Sequence, residues 1–205
     1  MTGLFVTFEG IDRSGKTTQA RMLVEALGGE ALAVREPGGT EVGERLRSVL
    51  KDPALTMSSE TEALLFAAAR AELVAQVIRP ALDAGKVVVS DRFLDSSLAY
   101  QGVARGLGVE DVEQINRFAT GGLLPDLTIL LSIDPARAAE RAGQLDRFED
   151  EGDSLQSAVF DAYRSLAAAD PVRWRVVDAD RPSAEVHSDV VQLVQEARSA
   201  AGARA

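Results

Sequence analysis

The chain has 205 residues, a formal net charge of −10 at pH 7, a single histidine and no cysteine. The missing cysteine excludes disulfides, thiolate nucleophiles and cysteine-ligated zinc; one histidine excludes a multi-histidine metal cluster; and the acidity argues against a nucleic-acid polymer or an anionic membrane as partner. A chain of this length buries roughly 70% of its unfolded surface, so one domain spanning residues 1–205 is expected to fold without metal or disulfide staples.

Leu4-Phe5-Val6-Thr7-Phe8 reads as a buried strand, followed by a turn from Gly10 to Gly15 and an amphipathic helix that Gly28-Gly29 stops. Ala31 to Val34 reads as a second strand ending at Pro37-Gly38-Gly39. Arg45 and Arg47 follow in a helix, and a spacing of two turns them to different faces, so one of them is expected to face a cleft. Ser59 with Glu62 three residues on reads as a capping box opening a long helix that Gly85 closes. Val87 to Val89 is a third strand and Leu127 to Ile133 a fourth. Asp134-Pro135 reads as an N-cap with proline at the first helical position. Trp174 to Val177 is the last strand and Ser183 to Ala197 the closing helix, with a tail from about 199 to 205 expected to fray.

Continuous apolar strands alternating with helices give an α/β fold, a parallel sheet flanked by helices in three layers. Ligands in such sheets bind beyond the carboxyl ends of the strands. The residues to interrogate are therefore 10–17, 36–39, Asp91-Arg92 and Asp134.

Gly10-Ile11-Asp12-Arg13-Ser14-Gly15-Lys16-Thr17 matches G-x-x-x-x-G-K-[ST] in full, between a strand and a helix. Its glycines let backbone N–H groups turn onto phosphate oxygens at the positive end of a helix. Lys16 supplies a point charge to the β- and γ-phosphates, and the Thr17 hydroxyl is a Mg²⁺ ligand of the expected kind. No Asn-Lys-x-Asp string for guanine follows, which favours an enzyme with a small second substrate over a GTPase switch. Asp91-Arg92 suits an Asp turned toward Mg²⁺ and an Arg reaching a phosphate; a salt-bridged turn is the plainer alternative. Phe66 and Arg70, four apart, share a helix face and suit a stacked base with its carbonyl edge held. The ordinary alternative puts Phe66 in the core and Arg70 at the surface. Arg137, Arg141 and Arg147 surround the break Ala142-Gly143-Gln144, as in a short closing lid of about 137–152 or a solvated helix end.

In this order these pieces resemble the thymidylate kinase family in its bacterial form. The resemblance runs through Phe8-Glu9-Gly10 to Thr18, Arg35-Glu36-Pro37-Gly38-Gly39-Thr40, Leu65 to Arg70, Ser90-Asp91-Arg92-Phe93 with Asp95 to Gly102, and Pro125-Asp126-Leu127-Thr128. It implies a P-loop kinase fold, ATP-dependent phosphorylation of dTMP to dTDP for dTTP synthesis with Mg²⁺ at Thr17 and Asp91, and a homodimer. By position it implies that Phe66 stacks on thymine and Arg70 bonds its carbonyl edge. Arg47 and Arg92 would hold the acceptor phosphate, and Ser97, Tyr100, Gln101 and Glu36 would line the base and sugar. Gly10, Ile11, Asp12, Arg13, Ser14, Gly15, Lys16, Thr17, Thr18 and Arg141 would contact ATP, Asp12 also positioning dTMP. Arg13, Arg141 and Arg147 all qualify to neutralise the transferring phosphoryl group, Arg147 first.

A deoxynucleoside kinase shares much of this pattern but needs a base for a sugar hydroxyl. A nucleotide-gated regulator would bind without turnover. No run of about 18 apolar residues is present, and Met1 to Phe8 has no basic region ahead of an apolar run, so a cytoplasmic protein without a leader is expected. His187 reads as a surface residue and Trp174 as core or interface.

Overall fold

The structure is a computed structural model and describes residues 3–141 and 153–202. The run LFVTFE has its two polar side chains at positions a neighbour can satisfy, and it forms the central strand β1 (Leu4–Glu9), buried along its whole length. Thr7, the polar residue in mid-strand, donates its hydroxyl to Thr128 Oγ1 of the adjacent strand at 3.1 Å. With β2 (Ala31–Arg35), β3 (Val87–Asp91), β4 (Leu127–Ser132) and β5 (Trp174–Asp178) it makes a five-stranded sheet in the order β2-β3-β1-β4-β5. Every pairing is parallel, as the apolar runs require.

Alternation along β1 sends Leu4, Val6 and Phe8 to one face and Phe5 to the other. The first face packs against α1 (Lys16–Leu27), α8 (Asp153–Ala169) and α9 (Ser183–Gly202) through Leu23, Val159, Tyr163, Val190 and Val194. The second meets Leu73, Ile78, Phe93 and Leu98, and Phe5 and Phe93 touch edge to face with ring centroids 4.8 Å apart. Phe8, with no exposed surface, is the kind of side chain whose truncation to alanine costs about 3–5 kcal/mol.

On the Phe5 face, α2 (Glu41–Lys51) and α3 (Ser59–Leu73) precede β3. α3 runs on through a π-helical stretch, Val74–Ile78, into α4 (Arg79–Asp83), and Gly85 with φ 77° ends it. After β3 come α5 (Leu94–Ser97), a second π-helical stretch Leu98–Ala104 and α6 (Val109–Thr120); α7 (Pro135–Ala139) follows β4.

Three local expectations change. Ser58, not Ser59, caps α3, accepting from the Thr61 N–H, because Ser58 keeps the extended backbone that a cap needs. Glu62 does not close a capping box; it is buried and bonds Gln101 and Arg105. The closing helix runs past Ala197: α9 extends to Gly202. Trp174 is core, as expected, whereas His187 is half-buried with its Nδ1 sealed from water. Asp134 caps α7 through the Ala136 N–H with Pro135 at the start, as read.

The chain builds β1, β2 and β3 to one side and then crosses to β4 and β5, so the strand order reverses at β1. The register brings Phe8, Arg35 and Asp91 to one level at the carboxyl edge. That edge is where a parallel sheet opens a crevice.

Candidate active site

A cleft of about 730 Å³ lies over this edge, against the loop joining β1 to α1. The loop is possible because Gly10 and Gly15 adopt φ 143° and 99°; a Cβ on Gly10 would sit 2.7 Å from the Leu131 carbonyl oxygen. α2, α3 and α7 are capped by Thr40, Ser58 and Asp134 side chains. No side chain caps α1, so its first N–H groups face the cleft as an anion site. The loop folds around Lys16, whose Nζ donates to the Gly10 and Ile11 carbonyls at 3.0 and 2.6 Å and to Ser14 Oγ at 3.2 Å. Burial pushes the Lys16 ammonium down to about 8, helped by the Arg92 charge and opposed by Asp12, Asp91 and Glu9. The next residue, Thr17, donates its hydroxyl to Asp91 Oδ2 at 2.5 Å. Two hard oxygen ligands thus stand together beside the loop, a donor set suited to Mg²⁺.

Arg92 follows β3 in the left-handed region, φ 72°, which turns its side chain back across the sheet edge. It pairs with Asp12, donates to Gly10 O at 3.3 Å and Ser96 Oγ at 3.1 Å, and lies 5.2 Å from the Tyr100 ring centroid. Burial raises the Asp12 carboxyl, but Arg92 and Lys16, with bonds from Gln156 and Tyr100, pull it below the usual range. Behind them Glu9, sealed from water, accepts from the Phe93 N–H (2.8 Å), Ser96 Oγ (2.6 Å) and Tyr163 OH (2.7 Å). Burial, reinforced by Asp95, drives its carboxyl up to about 7 against the pull of Arg92, Ser96 and Tyr163.

At the far end of the cleft stand Phe66, half-buried, and Arg70, only 1% exposed. The ordinary expectation for that pair is therefore inverted: the arginine is the buried member. Each of its three nitrogens has a partner. Nε and Nη2 go to Glu36 Oε2, Nη1 to Ser97 Oγ and Asn116 Oδ1, and Nη2 also to the Phe93 carbonyl. Of the two arginines on α2, Arg47 faces the cleft and donates to the Pro37 carbonyl at 2.8 Å, while Arg45 pairs with Glu41 in solvent. At the opposite end, Arg141 donates to the Arg13 carbonyl (3.2 Å) and the Ala179 carbonyl (2.6 Å). Arg13 in turn reaches the Ala139 carbonyl at 3.3 Å.

Asp12 to Thr18, Glu36, Arg47, Phe66, Arg70, Asp91, Arg92, Ser97, Tyr100, Gln101 and Arg141 all line this one cleft. Gly10 and Ile11 do not. Ile11 is buried in the core, and both act through the carbonyls that hold Lys16. Arg147 and most of the expected lid lie outside the described residues. Sequence reasoning missed Arg35, Lys51, Gln19, Arg181 and Ser183, which also line the cleft. Arg35 and Arg181 sit at or just past strand ends, a rule that finds them when applied to every strand. It also missed Asn116 and Tyr163, which reach the site from helices remote in sequence and carry no local signal.

A phosphate loop at the switch point of a parallel sheet, a Mg²⁺-suited oxygen pair beside it and a second, cation-lined lobe with an aromatic wall define a P-loop phosphotransferase. Residues 8–190 match the sequence profile of the thymidylate kinases. The chain is 52% identical to the thymidylate kinase of Symbiobacterium thermophilum, over 94% of this chain and 93% of that one. It is 48% identical to that of Lactobacillus delbrueckii subsp. bulgaricus, over 95% and 97%. The crystal structure of thymidylate kinase from Ehrlichia chaffeensis superposes with a TM-score of 0.80 at 33% identity, covering 95% of this chain and 100% of that one. The chain belongs to the thymidylate kinase family, nucleoside monophosphate kinases whose function is phosphorylation of dTMP to dTDP by ATP.

Proposed function

We infer that this single domain performs that transfer by positioning two phosphate-bearing substrates in one cleft, in the cytoplasm and as a homodimer. The observation that supports it most is that the uncapped start of α1 and the Phe66–Arg92 lobe line the same cavity. The loop N–H groups and Lys16 hold the ATP phosphates, with Arg13 and Arg141 over them; Arg147 is proposed as the further cation on the transferring group, within a lid of about 137–152. Thr17 and Asp91 are the residues that would hold Mg²⁺, which supplies charge neutralisation on the phosphates when bound.

On the other side, Phe66 stacks on the pyrimidine, Arg47 and Arg92 hold the acceptor phosphate, and Glu36, Arg70, Ser97, Tyr100 and Gln101 shape the base and sugar pocket. An acceptor phosphate oxygen is already anionic. It attacks the γ-phosphorus, the bond to the bridging oxygen of ADP breaks, and no general base is called for. Asp12, tied to Arg92 with its carboxyl pulled down, fits this role as anchor rather than base. Arg47 at the cleft wall favours a phosphate acceptor over a sugar hydroxyl. A homodimer is supported by apolar side chains that a monomer leaves in water: Phe118 on α6, 92% exposed, and Leu64 on the adjacent α3.

ATP consumption with dTMP, dUMP, dCMP and thymidine as acceptors tests the reading. Turnover of dTMP and not thymidine is expected; turnover of thymidine alone overturns it. Phe66→Ala should raise KM for dTMP far more than for ATP.

A further inference from the structure

Glu62 has no place in the machinery above, yet it is buried and stands one helical turn before Phe66 on α3. Its carboxylate faces the second π-helical stretch. Oε1 accepts from Gln101 Nε2 at 2.9 Å and from Arg105 Nε at 3.2 Å, and Oε2 accepts from Arg105 Nη2 at 3.3 Å. Gln101 is itself 2% exposed and lines the cleft.

A carboxylate only accepts hydrogen bonds, whereas a primary amide has one donating and one accepting end. Turning the Gln101 amide over would set its carbonyl oxygen against the Glu62 carboxylate in a buried site, acceptor against acceptor, and lose the bond between them. The ion pair with Arg105 keeps that carboxylate in place. One N–H of the amide is therefore held by Glu62, and the oxygen is the accepting end that this orientation turns away from the carboxylate. We propose that Glu62, braced by Arg105, is a positioning residue that fixes the Gln101 amide with its oxygen toward the cleft and so selects an acceptor base bearing an imide N–H. Thymine and uracil carry that N–H at ring position 3. Cytosine has a lone pair there, which would face the amide oxygen. The selection rests on the reading that the Phe66 end of the cleft takes the pyrimidine.

Steady-state kinetics of Glu62→Gln with ATP and with dTMP or dCMP as acceptor test it. A glutamine at position 62 offers either end to Gln101 and releases the orientation. KM for dTMP is expected to rise about tenfold, the worth of one hydrogen bond, and the preference for dTMP over dCMP to narrow by the same factor, with KM for ATP within twofold. A dTMP KM and a preference within twofold of the unaltered enzyme overturn the proposal, as does a fall in kcat with both KM values unchanged. Should Glu62→Gln fail to fold, Glu62→Met with Arg105→Met removes the ion pair as a unit, leaving no unpaired charge, and the same ratio is read. An unaltered enzyme that uses dCMP as well as dTMP defeats the underlying reading and this proposal with it; a selective enzyme indifferent to Glu62 defeats the proposal alone.

Discussion

Glu36 grips Arg70 through a single oxygen: its Oε2 takes Nε at 2.7 Å and Nη2 at 2.6 Å, while Oε1 has no hydrogen-bond partner among the described residues. Both side chains are almost sealed from water. Burial raises the Glu36 carboxyl and the Arg70 charge pulls it back. Such a pair costs much to bury and more to break, because the survivor is left as an uncompensated charge. Glu36→Ala is expected to lose about 3–5 kcal/mol in urea denaturation, and Glu36→Gln, which keeps an acceptor, clearly less. Equal losses for the two variants would show that a neutral acceptor at position 36 does nothing to hold Arg70 and that only the charge counts.

Glu9 makes stability depend on pH in the sense opposite to an ordinary surface carboxylate. Its folded value of about 7 lies above the usual 4.5, so the folded state holds a proton that the unfolded chain releases. Its contribution is therefore intact below pH 4.5 and is lost as pH rises through about 7. Denaturation of the unaltered protein and of Glu9→Gln from pH 5 to 8 should give curves that separate progressively, the unaltered protein falling relative to the variant. Parallel curves would rule out a titrating Glu9.

Thr17 and Asp91 come from different elements, the start of α1 and the end of β3, and are joined by one hydrogen bond. Removing either oxygen should raise the Mg²⁺ concentration needed for half-maximal activity, by about 10–100-fold on the scale of lost metal-site groups. Thr17→Val and Asp91→Asn with Mg²⁺ titrated at saturating ATP provide the measurement. An unchanged Mg²⁺ optimum in both would place the metal elsewhere.

What the sequence made legible follows from range. Phosphate recognition is written in eight consecutive residues, 10–17, because a tight loop must present its own N–H groups. The parallel sheet is written in strands that are apolar on both faces. Phe66 and Arg70 declared a shared face through their spacing, but spacing says nothing about which of the two is buried. That depends on Glu36, Asn116 and the Phe93 carbonyl, brought to Arg70 across 34, 46 and 23 positions of chain. Ser58 and Ser59 were indistinguishable as caps because both are serines one step apart, and only the backbone of Ser58 is extended. The support behind the site, Glu9 with Tyr163 of α8, joins residues 154 apart, beyond any periodic signal.

Charge is sorted in this molecule. Among the described residues, nine cationic side chains line the cleft against three carboxylates, in a chain whose total is −10. An anionic nucleotide arriving from solution is turned away by most of the surface and drawn in by one mouth. The approach is thereby funnelled, and encounter becomes a matter of orientation as much as of concentration. Because exposed charges lose sight of one another beyond about 8 Å at physiological salt, that funnel flattens as ionic strength rises, so capture slows in brine before the chemistry does.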